Sequence, residues 1–354
     1  MLNKITRLPT ARVRLAITLA LSIILPMATA CKAHNPVEVE KLLTPLSQAD
    51  TAQLIRVVNS LAAARSIRGR VDIQFEDTSF ATSGISEKYR TADGSITLQR
   101  PGKVLLVVQT PVIPSDVAQM TSDGEHFRIA ILKGDEKYHR FVRGTNSAVY
   151  PKLDVDASSN PAANANKKNK PTSEAQTVSA LSNLRPQHLT EALLIRAIDS
   201  QAPGVTYVQS EFFQSEKDPT KRDSSKRVVR GYYFLEELQT NAAASARLLR
   251  RFWFDRVNGI RLARLQTFDE KGALITDIDY GELKRFGAGG EALLPGQVGI
   301  TRPQDHYKIT ITYQVPESVA LDHDYPAEAF VLENRWGLRE VDLDAEKQPA
   351  GPKN

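Results

Sequence analysis

Gly94–Thr110 reads Gly-Ser-Ile-Thr-Leu-Gln-Arg-Pro-Gly-Lys-Val-Leu-Leu-Val-Val-Gln-Thr. Ser95–Gln99 alternates apolar with polar residues, Arg100-Pro101-Gly102 interrupts the pattern, and Lys103–Thr110 extends again. A period of two marks a strand with one buried face. Ile96 and Leu98 then share one face, and Val104, Leu106 and Val108 share a face of the next strand. The same alternation appears upstream in Arg70–Phe75, with Ala92-Asp93-Gly94 read as a turn between.

Further upstream the period changes. Leu54, Val57, Val58 and Leu61 fall at the spacing of one helical face, with Asp50 or Thr51 as cap and Ser66–Gly69 as the end. Downstream, short strands are expected around Gln119–Thr121, Phe127–Leu132 and Tyr138–Val142. The segment from Gly144 to about Arg185, with its Asn/Lys/Pro-rich middle, offers little to bury and is expected to be mobile. Pro186 opens a second helix with Leu189, Ala192, Leu193 and Ile198 as its stripe and Gly204 as its end.

Strand patterns then return at 205–213, 228–238, 247–254, 260–268, 273–283, 306–313 and 330–343. Asn258-Gly259 is a strong hairpin signal and Asp269–Gly272 a second turn. The whole is mainly β with two or three helices: ten or more antiparallel strands in meander order. Such a sheet must curl to manage its edges. Two helices are too few to cover both faces, so a strongly curved half-barrel holding them on its concave side is expected. Residues 51–343 form that single domain, and 344–354 a polar tail.

The N-terminus reads separately. Lys4, Arg7, Arg12 and Arg14 precede an apolar run, Leu15–Leu25, and then Ala28-Thr29-Ala30-Cys31. Positive, apolar and small residues in that order make a secretory signal, here residues 1–30. The run is shorter than the roughly 20 residues that span a bilayer. Cys31 is the one cysteine of the chain, which excludes an intramolecular disulfide. Ala28–Cys31 resembles the lipobox of bacterial lipoproteins, implying lipidation of Cys31, with residues 31–50 as a tether. Lys32 follows the cysteine, not the aspartate of inner-membrane retention in enteric bacteria, so the periplasmic face of the outer membrane is the implied location. Without the signal, the formal charge of +5 falls by four, to about +1. An exported chain of so little charge is not a nucleic-acid partner.

Residues 94–124 also resemble the LolA/LolB superfamily of periplasmic lipoprotein carriers and receptors. The carrying features are Arg100-Pro101 after a strand, Pro111 ten residues on, and Ser122-Asp123-Gly124. Gln99 and a stretch from Pro111 to Asp123 a few residues longer than usual depart from the pattern. Trp253-Phe254-Asp255 before Asn258-Gly259-Ile260, and Leu294-Pro295 before Val298, fit the same family in order along the chain. The resemblance covers roughly residues 50–343.

It implies an unclosed, roughly eleven-stranded half-barrel lidded by helices, binding lipid or lipoprotein acyl chains without chemistry. A carrier protein is the implied partner for delivery. Arg100 matches an arginine that holds the lid closed in that family, a task suited to a rigid multi-donor fork. Candidate cavity-lining residues are Leu54, Val57, Val58, Leu61, Ile96, Leu98, Val104, Leu106 and Val108, although the same composition also makes a plain core.

Nothing in the residues points to catalysis. His34, His126, His139, His188, His306 and His323 show no metal-ligand spacing, and no nucleophile elbow or phosphate loop occurs. No cofactor, metal or catalytic residue is expected. Two other readings stand beside the lipid binder: an envelope-stress regulator using the same half-barrel, and an inert interaction module. A void of several hundred Å³ under the helices favours lipid binding or lipid sensing, whereas a solidly packed interior argues against them.

Overall fold

A computed structural model of the chain describes residues 40–78, 87–88, 91–110, 115–133, 136, 139–146, 184–221, 225–240, 245–290 and 292–345. Cys31, Pro111, most of the 144–185 segment and the end of the tail lie outside them. Leu42–Asn354 forms one compact unit.

Helix α1 spans Thr51–Leu61. Asp50 caps it, its side chain accepting from Gln53 N while the Gln53 side chain accepts from Asp50 N, so that two otherwise orphaned donors are satisfied. Strands β1 (Ser66–Asp77), β2 (Ala92–Gln99), β3 (Lys103–Gln109), β4 (Asp116–Asp123), β5 (His126–Ile131) and β6 (Arg140–Thr145) follow. Helix α2 is Pro186–Leu193. Then come β7 (Val205–Lys217), β8 (Arg227–Thr240), β9 (Ala246–Asp255), β10 (Arg261–Phe268), β11 (Leu274–Tyr280), the short hairpin β12 (Leu283–Phe286) and β13 (Ala292–Pro295), β14 (Gln297–Arg302), β15 (Tyr307–Tyr313), β16 (Ala320–Leu321) and β17 (Glu340–Asp342).

The long strands pair antiparallel in the order β7-β8-β9-β10-β11-β14-β15-β1-β2-β3-β4-β5-β6, and β17 adds to β6 in parallel. Among the described residues β7 and β17 do not meet, so the sheet is open: an unclosed, mainly antiparallel half-barrel with two helices. The central joint is β15 against β1, with Ile309 opposite Phe75 and Ile311 opposite Ile73. One face of the sheet packs the core. In β3 the buried residues alternate as Val104, Leu106 and Val108. Leu54, Val58 and Leu61 of α1 and Leu189 and Ala192 of α2 complete that core from the helix side. Each fully buried valine or leucine among them stabilises by about 1.5–3 kcal/mol.

Several expectations need correction. Ala92-Asp93-Gly94 is strand, not turn: β2 begins at Ala92, and Gly94 sits so close to β3 that a Cβ there would lie 2.7 Å from Val107 O. Ser66–Gly69 opens β1 instead of ending the helix, because its backbone pairs with Ile96–Gln99. The second helix stops at Leu193, well before Gly204. Ile198 is still buried, but in a non-helical segment whose peptide groups bond to Asn59. Residues 330–343 follow a short 3-10 turn at Ala327–Phe330 and are mostly irregular, with a strand only at Glu340–Asp342.

Residues 43–50, expected as tether, are docked on the sheet. Leu43 N donates to Val229 O at 2.9 Å and Ser47 N to Arg256 O at 2.8 Å. The buried Arg256 stacks 4.2 Å over the Tyr233 ring and donates Nε to Ser47 O at 3.1 Å.

Candidate functional site

Beyond α1 the chain passes through Ala62–Ala64 and enters β1. A helix end leaves its last carbonyls without intrahelical partners and carries partial negative charge. Arg100, just past the end of β2, binds the carbonyls of the cap and of the turn that follows it. Its Nε donates to Ala64 O at 3.0 Å and its Nη2 to Ala62 O at 3.0 Å. The same Nη2 donates to Ile195 O at 2.8 Å, just after α2. One guanidinium thus ties the trailing ends of both helices to the sheet. Burial draws its pKa below the ordinary arginine value.

Helix α2 has further polar anchors. Tyr280 Oη donates to Ala192 O at 3.2 Å. His188 Nδ1 lies 2.6 Å from Tyr307 Oη, with His188 almost wholly buried. Desolvation, helped by the charges of Arg302 and Arg185, pushes the His188 imidazole down to about 2, so the ring is neutral.

A cleft of about 990 Å³ opens beside the Arg100 contacts. Ala63 and Ala64 form one wall, Leu293 and Leu294 of the β12–β13 hairpin another, and Val319–His323 the floor. The hairpin is held by Phe286, which meets the Tyr313 ring edge-on at 5.0 Å. The floor is fixed where Arg65 N donates to Asp322 Oδ1 at 2.6 Å and Ser66 Oγ to His323 O at 2.6 Å. Leu293 is 52% exposed on the lip, whereas Leu294 is buried.

Leu294 has a second role, as part of the wall of a hollow of about 20 Å³ between helices and sheet, shared with Leu61, Ile67, Ile195, Tyr280 and Tyr313. That is room for a single water. The space under the helices is filled by side chains there, and the open volume lies outside, across Leu294.

The residues singled out from sequence fall as follows. Leu54, Val58, Leu61, Ile96, Leu98, Val104, Leu106 and Val108 are buried in the core, and Val57 packs against it partly buried. Only Leu61 borders the hollow, and none borders the cleft. Sequence reasoning missed Leu293, Leu294, Tyr280, Tyr313 and the 317–323 floor. The available signal was Leu293-Leu294 following the glycine-rich Gly287–Gly290, an apolar pair outside any alternating run.

Among the described residues, no group of three or more His, Cys, Asp or Glu side chains is placed to hold a metal. Among them, no helix is long and apolar enough to cross a membrane.

No family model matches the chain, and no curated protein matches it in sequence. Solved structures are similar to it in overall course. A LolA superfamily protein from Nitrosomonas europaea is 11% identical, with a TM-score of 0.38 over 80% of this chain and 99% of that one. A DUF1329 family protein from Desulfovibrio piger gives 11% and 0.38 over 81% and 97%. An outer membrane lipoprotein-sorting protein domain from Vibrio parahaemolyticus gives 11% and 0.36 over 79% and 94%. These likenesses carry no residue role across.

Proposed function

We propose that the chain is a non-enzymatic receptor or shuttle for lipid or lipoprotein acyl chains, anchored at the periplasmic face of the outer membrane through lipidated Cys31. The observation that carries this reading is the double role of Leu294. It separates a cleft of about 990 Å³ from the filled layer under the helices, directly beside the carbonyls that Arg100 holds. The cleft is at the upper end of the size of ligand pockets. An acyl chain would lodge first against Leu293 and Leu294. Release of the Arg100 bonds would then let the helices move off the sheet and the chain pass inward. Such a protein has two states, and a ligand that fits only the open one draws the population towards it.

Native mass spectrometry of gently purified protein is the test. Co-purifying acyl-chain masses that increase in Arg100→Leu support the reading. An acyl-free protein that also takes up no added fatty acid in either form overturns it. Radiolabelled palmitate incorporation, lost in Cys31→Ser, checks the anchor separately.

The filled hollow of about 20 Å³ favours a second reading, a half-barrel permanently plugged by its own helices that serves as an interaction module. That reading expects Arg100→Leu to change stability without changing any lipid uptake.

A further inference from the structure

Strand β7 is an edge strand of 13 residues that, among the described residues, pairs only with β8. Long edges are usually blunted by charge or cover, because their backbone groups and side chains are open to association. This one exposes Val208 (42%), Phe212 (38%) and Phe213 (47%). Phe212 belongs to an aromatic cluster on the face away from the helices, stacked 4.8 Å from Phe234 and edge-on to Trp253 at 5.5 Å. Phe213 points to the opposite face, where it and Leu46 both flank Gly231. A single edge therefore presents a phenyl ring on each side.

The charges nearby are sorted. The acids on β7 are engaged, Glu211 with Arg256 at 2.9 Å and Glu216 with Arg230 at 3.1 Å. At the β7–β8 hairpin, Asp218 accepts from Thr220 N and Oγ1 at 2.8 and 2.7 Å. Lys217 and Lys221 stand exposed at this same end, as does Arg227, which donates Nε to Ser215 Oγ and Nη2 to Ser215 O, both at 2.6 Å.

The docked N-terminal segment gives a direction. Traced backwards, it touches Arg256, just past β9, and then Val229 of β8, approaching the first residues of β8. Only ten residues separate Leu42 from Cys31, a reach of at most about 40 Å.

We propose that the β7 edge, with the cations Lys217 and Lys221 that follow it, forms a contact surface for an anionic bilayer. Phe212 and Phe213 enter the headgroup region, and Lys217 and Lys221 face the lipid phosphates. Aromatic rings and cations side by side are what an interface of apolar boundary and negative surface charge attracts. The orientation rests on Cys31 as the anchor, but the affinity belongs to the unacylated domain and is measurable without it.

The test uses the Cys31→Ser chain in co-sedimentation with vesicles of phosphatidylcholine alone or with one-quarter phosphatidylglycerol. Binding is expected to the anionic vesicles only, to weaken with salt, and to fall about tenfold in Phe213→Ser. Lys221→Glu, a substitution at an exposed position that leaves the fold in place, is expected to weaken it severalfold. No binding to anionic vesicles, or equal binding by both variants, overturns the proposal. So does a concentration-dependent dimer or a bound protein strand that shields Phe213, since the edge is then covered by protein. Palmitate labelling of the unmodified chain reports on Cys31 independently, so the two failures are distinguishable.

Discussion

Asn59 of α1 and Ile198 beyond α2 make a reciprocal pair: Asn59 Nδ2 donates to Ile198 O at 3.0 Å, and Ile198 N donates to Asn59 Oδ1 at 2.7 Å. A side-chain amide here takes the place of a neighbouring strand. With Arg100 bound to Ile195 O, the segment after α2 is held at two points three residues apart. If the helices move as one lid, both points must let go together.

Asn59→Ala is expected to cost about 1–3 kcal/mol, since it strands a donor and an acceptor in a half-buried place. Arg100→Leu is expected to cost a similar amount. Thermal melts of the two single variants and the double variant measure the coupling. A double-variant loss clearly different from the sum of the singles would show one cooperative latch, whereas strict additivity would show two independent tethers.

Leu294→Arg places a charge at the partition between cleft and hollow. Acyl-chain uptake, followed with a fluorescent fatty acid, is expected to fall at least tenfold. Circular dichroism should retain the strand signal, because Leu294 belongs to the small β12–β13 hairpin outside the main sheet. Unchanged uptake would move the entry site elsewhere.

His188 gives the fold a pH dependence of definite sign. Its folded-state pKa lies near 2, below the ordinary value of about 6.5, so between those values the unfolded chain binds the extra proton. Stability therefore falls as pH drops below about 6.5, by at most about 1.4 kcal/mol per pH unit from this one group. Above that pH its contribution is flat. His188→Gln should show a shallower decline in urea midpoint from pH 6.5 to 4.5 than the unaltered chain, and an equal slope would remove His188 from the account.

Gly94→Val should prevent the β2–β3 ladder from forming in its present register. A Cβ there meets Val107 O at 2.7 Å and Ile73 Cδ1 at 2.9 Å, and backbone cannot withdraw as a flexible side-chain end can. Loss of soluble protein is the expected readout. Gly259→Ala gives a milder comparison: its Cβ meets nothing within 4 Å, and only the φ of +134° is unfavourable.

The alternation in Ile96–Leu98 and Val104–Val108 was legible because one face of each strand is buried and the other is not. Asn258-Gly259 was legible because the turn demands positive φ, which both residues adopt, at 58° and 134°. Ala92-Asp93-Gly94 misled for the opposite reason. A glycine that admits a neighbouring backbone looks, in one sequence, like a glycine that turns. Ile198 kept its burial without its helix, since the apolar stripe reports contact with the core and not the backbone that delivers it. Arg100 came from a resemblance; its three carbonyl partners lie 36, 38 and 95 residues away, beyond any local pattern. Leu293 and Leu294 were hidden because volume arises from where elements stop, and composition does not record it.

The joint between β15 and β1 sets the order of assembly. Tyr313 lies opposite Val71 and Tyr307 opposite Asp77, so the middle of the sheet joins parts of the chain 242 and 230 residues apart. Each half can zip its own hairpins early, because those contacts are local. The halves cannot merge until the late strand has emerged, and closing so long a loop is slow. Such a chain stays unfinished until β15 is available, however early its hairpins form.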